Sequence, residues 1–257
     1  MRKNSMLIAL ILGLCGLNGF AGDVEIIKEC VKKLDYKTDF ELNQALECIH
    51  SRMPRVAPIL IKELETTTNS RIKEGVMDIL GYHKIKEAIP QILKSVKNKN
   101  KKIRESAVSA LASVQDEETL PIFYELCKDE NEAVKQDAIR TLIRFHKKGK
   151  VPSRIIDEIR LEIKTYLTSP NPFKRQTGAY FATELEAREF LPIIESLASN
   201  DTYYFVVKKR DRHLNAVGEE GTYPVREAAY KALTKLKHIV NPAAEIKTSL
   251  QQSTTLQ

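Results

Sequence analysis

Val225 to Leu233 reads VREAAYKAL, and the chain writes the same pattern three more times: IRESAVSAL from Ile103 to Leu111, VKQDAIRTL from Val134 to Leu142 and, more loosely, IKEGVMDIL from Ile72 to Leu80. In each, an aliphatic residue precedes a cation, a small or aliphatic residue follows three places on, and Leu stands seven places after the cation. Lys73, Arg104 and Lys135 are 31 residues apart, and so are Pro90 and Pro121. Two independent landmarks with one step define a repeat. Its apolar positions recur at helical spacing, so each unit is a helix pair that cannot bury its own apolar side and must stack on its neighbours.

The expected units follow in order. Residues 22–55 read as a capping helix pair: Ile26, Ile27, Cys30, Val31 and Leu34 line one helix, and Leu42, Ala45, Leu46 and Ile49 a second that Asp39 can cap. The repeats occupy 56–240. Ser70 is expected to cap the helix carrying IKEGVMDIL, and Arg175 and Arg226 continue the cation series in later units. Small residues such as Ala107, Ala138, Gly178 and Ala229 let helices approach closely. The cations Lys73, Arg104, Lys135, Arg175 and Arg226 fall early in their helices, where the helix dipole disfavours them. Acceptors in the turns, Asp129, Asn131 and Asp201 among them, are therefore expected to meet each cation. From Asn241 the chain is polar and without apolar period, which reads as a frayed tail.

The fold class is thus all-α: a right-handed α-solenoid of about five to six antiparallel helix pairs. One insertion interrupts it, from Asn200 to Pro224, before VREAAYKAL resumes. Tyr203 to Val207 is β-prone and Leu214 to Val217 can return as a second strand, with Gly218 to Gly221 as an acidic turn. A long irregular segment in a compact fold is a place to seek function. Tyr203, Tyr204, Phe205, Lys208, Lys209, Arg210, Arg212 and His213 are the candidate binding residues there, set against the plainer reading of an embellishment that closes the array.

The chain has 257 residues with 42% hydrophobic and 29% charged side chains, a globular composition with formal charge +7. Arg2 and Lys3, the apolar run Met6 to Leu14, and small residues at Gly19 and Ala21 have the layout of a secretory signal peptide cut after Ala21. The apolar run is shorter than the roughly 20 residues a spanning helix needs. Leu14 before Cys15 is not the small residue that a lipidation site requires, so a lipoprotein is not expected. Export places the chain in an oxidising compartment, periplasmic or extracellular, where Cys30 and Cys48 on consecutive helices can pair. Cys127, at an apolar position, reads as a buried free thiol.

Reaction chemistry is scarce. None of the five His residues pairs at i, i+4, and there is no paired-Cys knuckle, so no metal site is expected. Ser70 to Lys73 matches S-x-x-K, but its S-D-N and K-T-G companions are missing. No catalytic residue and no cofactor is assigned. Two basic clusters, Lys94 to Arg104 and Arg144 to Lys150, leave an anionic polymer or lipid surface as an alternative partner; DNA is not expected for an exported chain.

The pattern of Leu120-Pro121 and Leu191-Pro192, a polar turn, then Ile103-Arg104, Val134-Lys135 or Val225-Arg226 resembles the HEAT-repeat family. It is most similar to the short HEAT-like repeats also found in phycobiliprotein lyases, over about residues 56–238. Lys73 and Lys135 in place of Arg, Phe181 where Ala is usual, and the insertion depart from the pattern. The resemblance implies a scaffold that holds another protein, with membership of a lyase-like enzyme group as a further alternative.

Overall fold

A computed structural model describes residues 22–210 and 216–238. The signal segment 1–21, Arg212, His213 and the tail 241–257 lie outside the described residues. Among those described, twelve α-helices carry the chain: α1 over 22–32, α2 Asp39–His50, α3 Ala57–Thr66, α4 Ser70–Tyr82, α5 Ile89–Leu93, α6 Lys101–Val114, α7 Leu120–Leu126, α8 Glu132–His146, α9 Ser153–Leu167, α10 Pro172–Glu184, α11 Leu191–Asn200 and α12 Pro224–His238. The fold is all-α with one two-stranded ribbon, β1 Phe205–Arg210 and β2 Ala216–Thr222. The chain divides into two compact units between Leu142 and Ile143.

In the N-terminal unit α3 packs on α4, and α4 on α6. Gly81 makes the second contact close: a Cβ there would stand 2.6 Å from the Ala110 Cα, so any larger residue would force α4 and α6 apart. In the C-terminal unit α9 packs on α10, and α12 on both α10 and α11. Gly178 does the same work there, with a hypothetical Cβ 2.8 Å from the Leu167 backbone nitrogen. Phe181, an oversized residue in the repeat pattern, is fully buried edge-on to Tyr166. The period also appears in the backbone. Lys84 and Gln115, 31 apart, take left-handed φ values of 54° and 56° just after α4 and α6.

The caps differ from the sequence expectation. Thr38, not Asp39, caps α2 in a reciprocal box: its hydroxyl accepts from the Glu41 amide, and the Glu41 carboxylate accepts from the Thr38 amide. Asn69, not Ser70, caps α4, because its side-chain oxygen reaches two amides, those of Arg71 and Ile72, at 2.9 and 3.2 Å. Asn100 and Asn131 cap α6 and α8 in the same way at the same 31-residue step. Each Asn then donates from Nδ2 to the preceding pair: Asn69 to Asp35 at 2.8 Å, Asn100 to Ser70 at 3.5 Å and Asn131 to Glu105 at 2.8 Å. One side chain both starts a helix and sets the register of the stack.

The insertion is an antiparallel ribbon, but Gly218 to Gly221 lie within β2 and not in a turn. Phe205 pairs with Thr222, Val207 with Glu220 and Lys208 with Glu219, with a register shift between Lys209 and Arg210. The return strand thus extends past Val217, with one acidic position opposite a basic one, Glu219 opposite Lys208.

Candidate functional site

The N-terminal hairpin is closed by a disulfide between Cys30 of α1 and Cys48 of α2. Asp23, buried at the start of α1, is held by Arg55 at 2.9 Å and Arg52 at 3.5 Å. Cys127, expected to be buried, is half-buried and lies outside the disulfide. No described helix is long and apolar enough to cross a membrane.

The repeat cations resolve into clamps where the residue is arginine. Arg104 donates to its own turn at the Asn98 carbonyl, 2.8 Å, and to the next turn at Asp129, 3.3 Å, and Glu130, 3.2 Å. Arg175 donates to the Ser169 and Pro170 carbonyls at 2.9 and 2.8 Å and forks onto Asp201 at 2.6 and 3.1 Å. Arg226 reaches the same residue from the far side of the insertion, donating to the Asp201 carbonyl at 2.6 Å. The guanidinium fork serves carbonyls and a carboxylate at once; the ammonium at Lys73 and Lys135 offers a point charge instead. Asn131, expected as an acceptor for a cation, is used as a cap.

The basic clusters are partly neutralised within the fold. Lys97 pairs with Glu125 at 2.9 Å, Arg104 is clamped, and Lys147 pairs with Glu184 at 3.3 Å. Among the described residues no group of three His, Cys, Asp or Glu side chains could hold a metal ion.

Two surfaces remain. The first lies at the root of the ribbon. Tyr203, its amide bound to Asp201 at 3.0 Å, meets Phe173 edge-on at 5.7 Å and Phe205 at 6.0 Å. Tyr204 lies against Tyr223 at 4.9 Å and over Gly221, where no Cβ would fit. The Arg226 guanidinium stacks on Tyr223 at 4.4 Å. Phe173 is 59% exposed, and Tyr204, Phe205 and Tyr223 stay open to solvent. The sequence candidates Tyr203, Tyr204 and Phe205 are thus brought together, while Lys208, Lys209 and Arg210 run on along β1 away from this root. Phe173, Tyr223 and Arg226 complete the patch. Phe173 comes from α10, thirty residues before Tyr203, and only packing reveals it.

The second surface is a groove of about 690 Å³ in the N-terminal unit, bounded by α2, α4 and the start of α6. Leu42, Leu46 and His50 form one wall at i, i+4, i+8; Glu74, Asp78 and Tyr82 form the other at the same spacing. His50 Nδ1 and His83 Nε2 share a 2.7 Å hydrogen bond at one end, tying α2 to the residue after α4. Burial, then the neighbouring His50, hold the His83 imidazole below its ordinary value. Asp78 lies on the groove side, and the partial burial of its carboxyl pushes its pKa up to about 6; Glu74 adds to the shift and a Ser106 hydrogen bond opposes it.

That shift predicts a stability effect. A carboxyl with folded pKa above its unfolded value binds more protons in the fold, so stability falls as pH rises from about 4 to about 6. The full shift corresponds to about 3 kcal/mol, which screening at a solvent-open group reduces to about 1 kcal/mol. Asp78→Asn is expected to raise the urea midpoint at pH 7 and leave it unchanged at pH 4.

Residues 57–143 match the family model for HEAT repeats. No curated protein matches the sequence. Among solved structures, Kap95p bound to RanGDP matches over 82% of this chain and 29% of its own, at 15% identity and a TM-score of 0.55. Kap121p bound to the extreme C-terminus of the phosphatase Cdc14p matches over 84% and 24%, at 14% identity and a TM-score of 0.53. The chain therefore spans about a quarter of the length of each. The CpcE–CpcF complex of phycocyanin lyase from Nostoc sp. matches over 70% of this chain and 65% of that one, at 12% identity and a TM-score of 0.46, too loose a likeness to carry an argument.

Proposed function

For a chain that carries HEAT repeats over residues 57–143, we propose the role of an exported, non-catalytic scaffold that binds another protein through the aromatic face at the root of its ribbon. The observation that carries this reading is the open cluster of Phe173, Tyr204, Phe205 and Tyr223 beside Arg226. Rigid aromatics with an arginine are the residue types that dominate protein–protein contacts. Helical repeats of this fold commonly serve protein interaction. Export is supported by the signal-like start of the sequence and by the Cys30–Cys48 bridge, which suits an oxidising compartment.

A photo-crosslinking residue at Tyr204 tests the site in the exported protein. It is expected to capture one discrete partner, whereas the same residue at Leu161, exposed on α9, captures none. Deleting 202–223 behind a short Gly-Ser bridge should abolish co-purification of that partner. Equal capture from both positions, or partner binding untouched by the deletion, would remove the ribbon root as the interface. Sequencing the mature N-terminus of fractionated protein tests export; a start at Gly22 is expected, and a chain retaining Met1 in the cytoplasm would overturn it.

A further inference from the structure

The groove of the N-terminal unit brings carboxylates, an open aromatic ring and an apolar wall together. Glu74, Asp78 and Tyr82 form one stripe along α4, and eight residues of helix place its ends about 12 Å apart. Neither carboxylate has a cation among the described ion pairs, although Asp23, Asp116 and Asp129 in the same unit all do. Tyr82 is 74% exposed, its ring edge-on to His50 at 5.4 Å. Leu42 and Leu46 face the stripe from α2. Two adjacent carboxylates and an open aromatic face each recognise the same thing, an organic cation, and the apolar wall suits the methylene stem that carries one.

We propose that this groove holds an extended segment of another protein by a lysine or arginine, its cation between Glu74 and Asp78 and its stem along Tyr82. The site is independent of the ribbon face and lies in the other compact unit. Charge complementarity decides the occupant. The groove's own cations are Lys102 at the start of α6 and Arg71, which is already committed to the Tyr36 carbonyl at 2.9 Å. The chain as a whole is +7, so general electrostatics repels a cationic segment, and attraction must come from this local pair. An extended stretch of four residues covers the 12 Å stripe. A cation between Glu74 and Asp78 favours the ionised form that burial and Glu74 disfavour, so binding is coupled to proton release.

The test is an NMR titration of the disulfide-intact mature chain with end-blocked dilysine. Saturable shifts in α4 amides are expected, with half-saturation on the order of millimolar, and tighter binding at pH 7 than at pH 5. Asp78→Asn and Glu74→Gln should each weaken binding about tenfold. Tyr82→Ala, at an exposed position that the fold does not need, should weaken it by roughly threefold. Dilysine acetylated on both side chains should not bind. The proposal is overturned if the acetylated peptide binds equally, if the charge variants bind like wild type, or if end-blocked diglutamate binds in place of dilysine. Saturation by spermine with no response to dilysine would make the groove a polyamine site and also sink it.

Discussion

Replacing Asp201 with alanine is expected to destabilise the C-terminal unit by roughly 3–5 kcal/mol, the cost of leaving a buried ion without its partner. Its side chain is 3% exposed and that of Arg175 15%, so neither charge has water to fall back on. The carboxylate accepts both arms of the Arg175 fork and the Tyr203 amide. Removing it leaves a guanidinium tied only to two carbonyls. Burial pushes the Asp201 carboxyl up, but the Arg175 hydrogen bonds and charge, the Tyr203 amide and Arg226 more than offset this and hold it below its ordinary value. A carboxyl depressed in the fold contributes stability that is fully present above the unfolded pKa, about 4, and is lost as pH falls through the folded value. Urea unfolding at pH 7 and pH 3 measures both: the midpoint drops sharply at pH 7, and the gap between variant and wild type narrows at pH 3. Asp201→Asn, which keeps an acceptor oxygen, should lose less. An unchanged midpoint for Asp201→Ala would show that the clamp adds nothing to the fold.

Opening the Cys30–Cys48 bridge is the second large effect. The bridge spans a sequence separation of 18, and closing a loop of that size removes enough unfolded-chain entropy to be worth about 3 kcal/mol. The Cys30→Ser, Cys48→Ser double variant should therefore melt about 5–10 °C lower, by the usual relation between stability and Tm in domains of this size. The same drop is expected for the wild type under a reductant, and none for the variant. Thiol titration of the unfolded mature chain should find one thiol, Cys127, before reduction and three after it. The hairpin carries Leu34, Leu42, Leu46 and His50 to the groove, so loss of the bridge should also weaken dilysine binding there.

The helix pairs were readable because their signal is periodic. Lys73, Arg104 and Lys135, with Pro90 and Pro121, repeat at a step that survives substitution of the surrounding residues. The arginine clamps were half readable: the need for an acceptor followed from the dipole, but the fork onto carbonyls and a carboxylate at once, as at Arg104 and Arg175, follows from packing. Caps were misassigned at Asp39 and Ser70 because adjacent Thr38 and Asn69 have the same chemistry, and only backbone direction selects between them. The acidic stretch around Glu219 read as a turn by composition, whereas it pairs with Val207 and Lys208 as strand. The groove was illegible. Its walls repeat i, i+4, i+8 within each helix, but nothing in sequence says that Leu46 and Asp78 line one groove or that His50 meets His83, thirty-three residues away. The aromatic patch was readable where it is contiguous, at Tyr203 to Phe205, and hidden where Phe173 enters from another helix.

Asp201 and Arg226 stand on either side of the ribbon and are joined directly, side chain to backbone, at 2.6 Å. The two ends of the excursion are thus tied to each other directly, and the ribbon root adds only local bonds, the Tyr203 amide to Asp201 and the Thr222 hydroxyl to Glu227. Closing a loop between fixed ends costs only logarithmically more as it lengthens, about 0.6 kcal/mol for each doubling. Residues 202–222 are accordingly a socket. Foreign hairpins, epitopes or small reporter domains of very different length should graft between Asp201 and Tyr223 and leave the melting of the helical array nearly unchanged, which makes this junction a natural place to vary specificity while the scaffold stays constant.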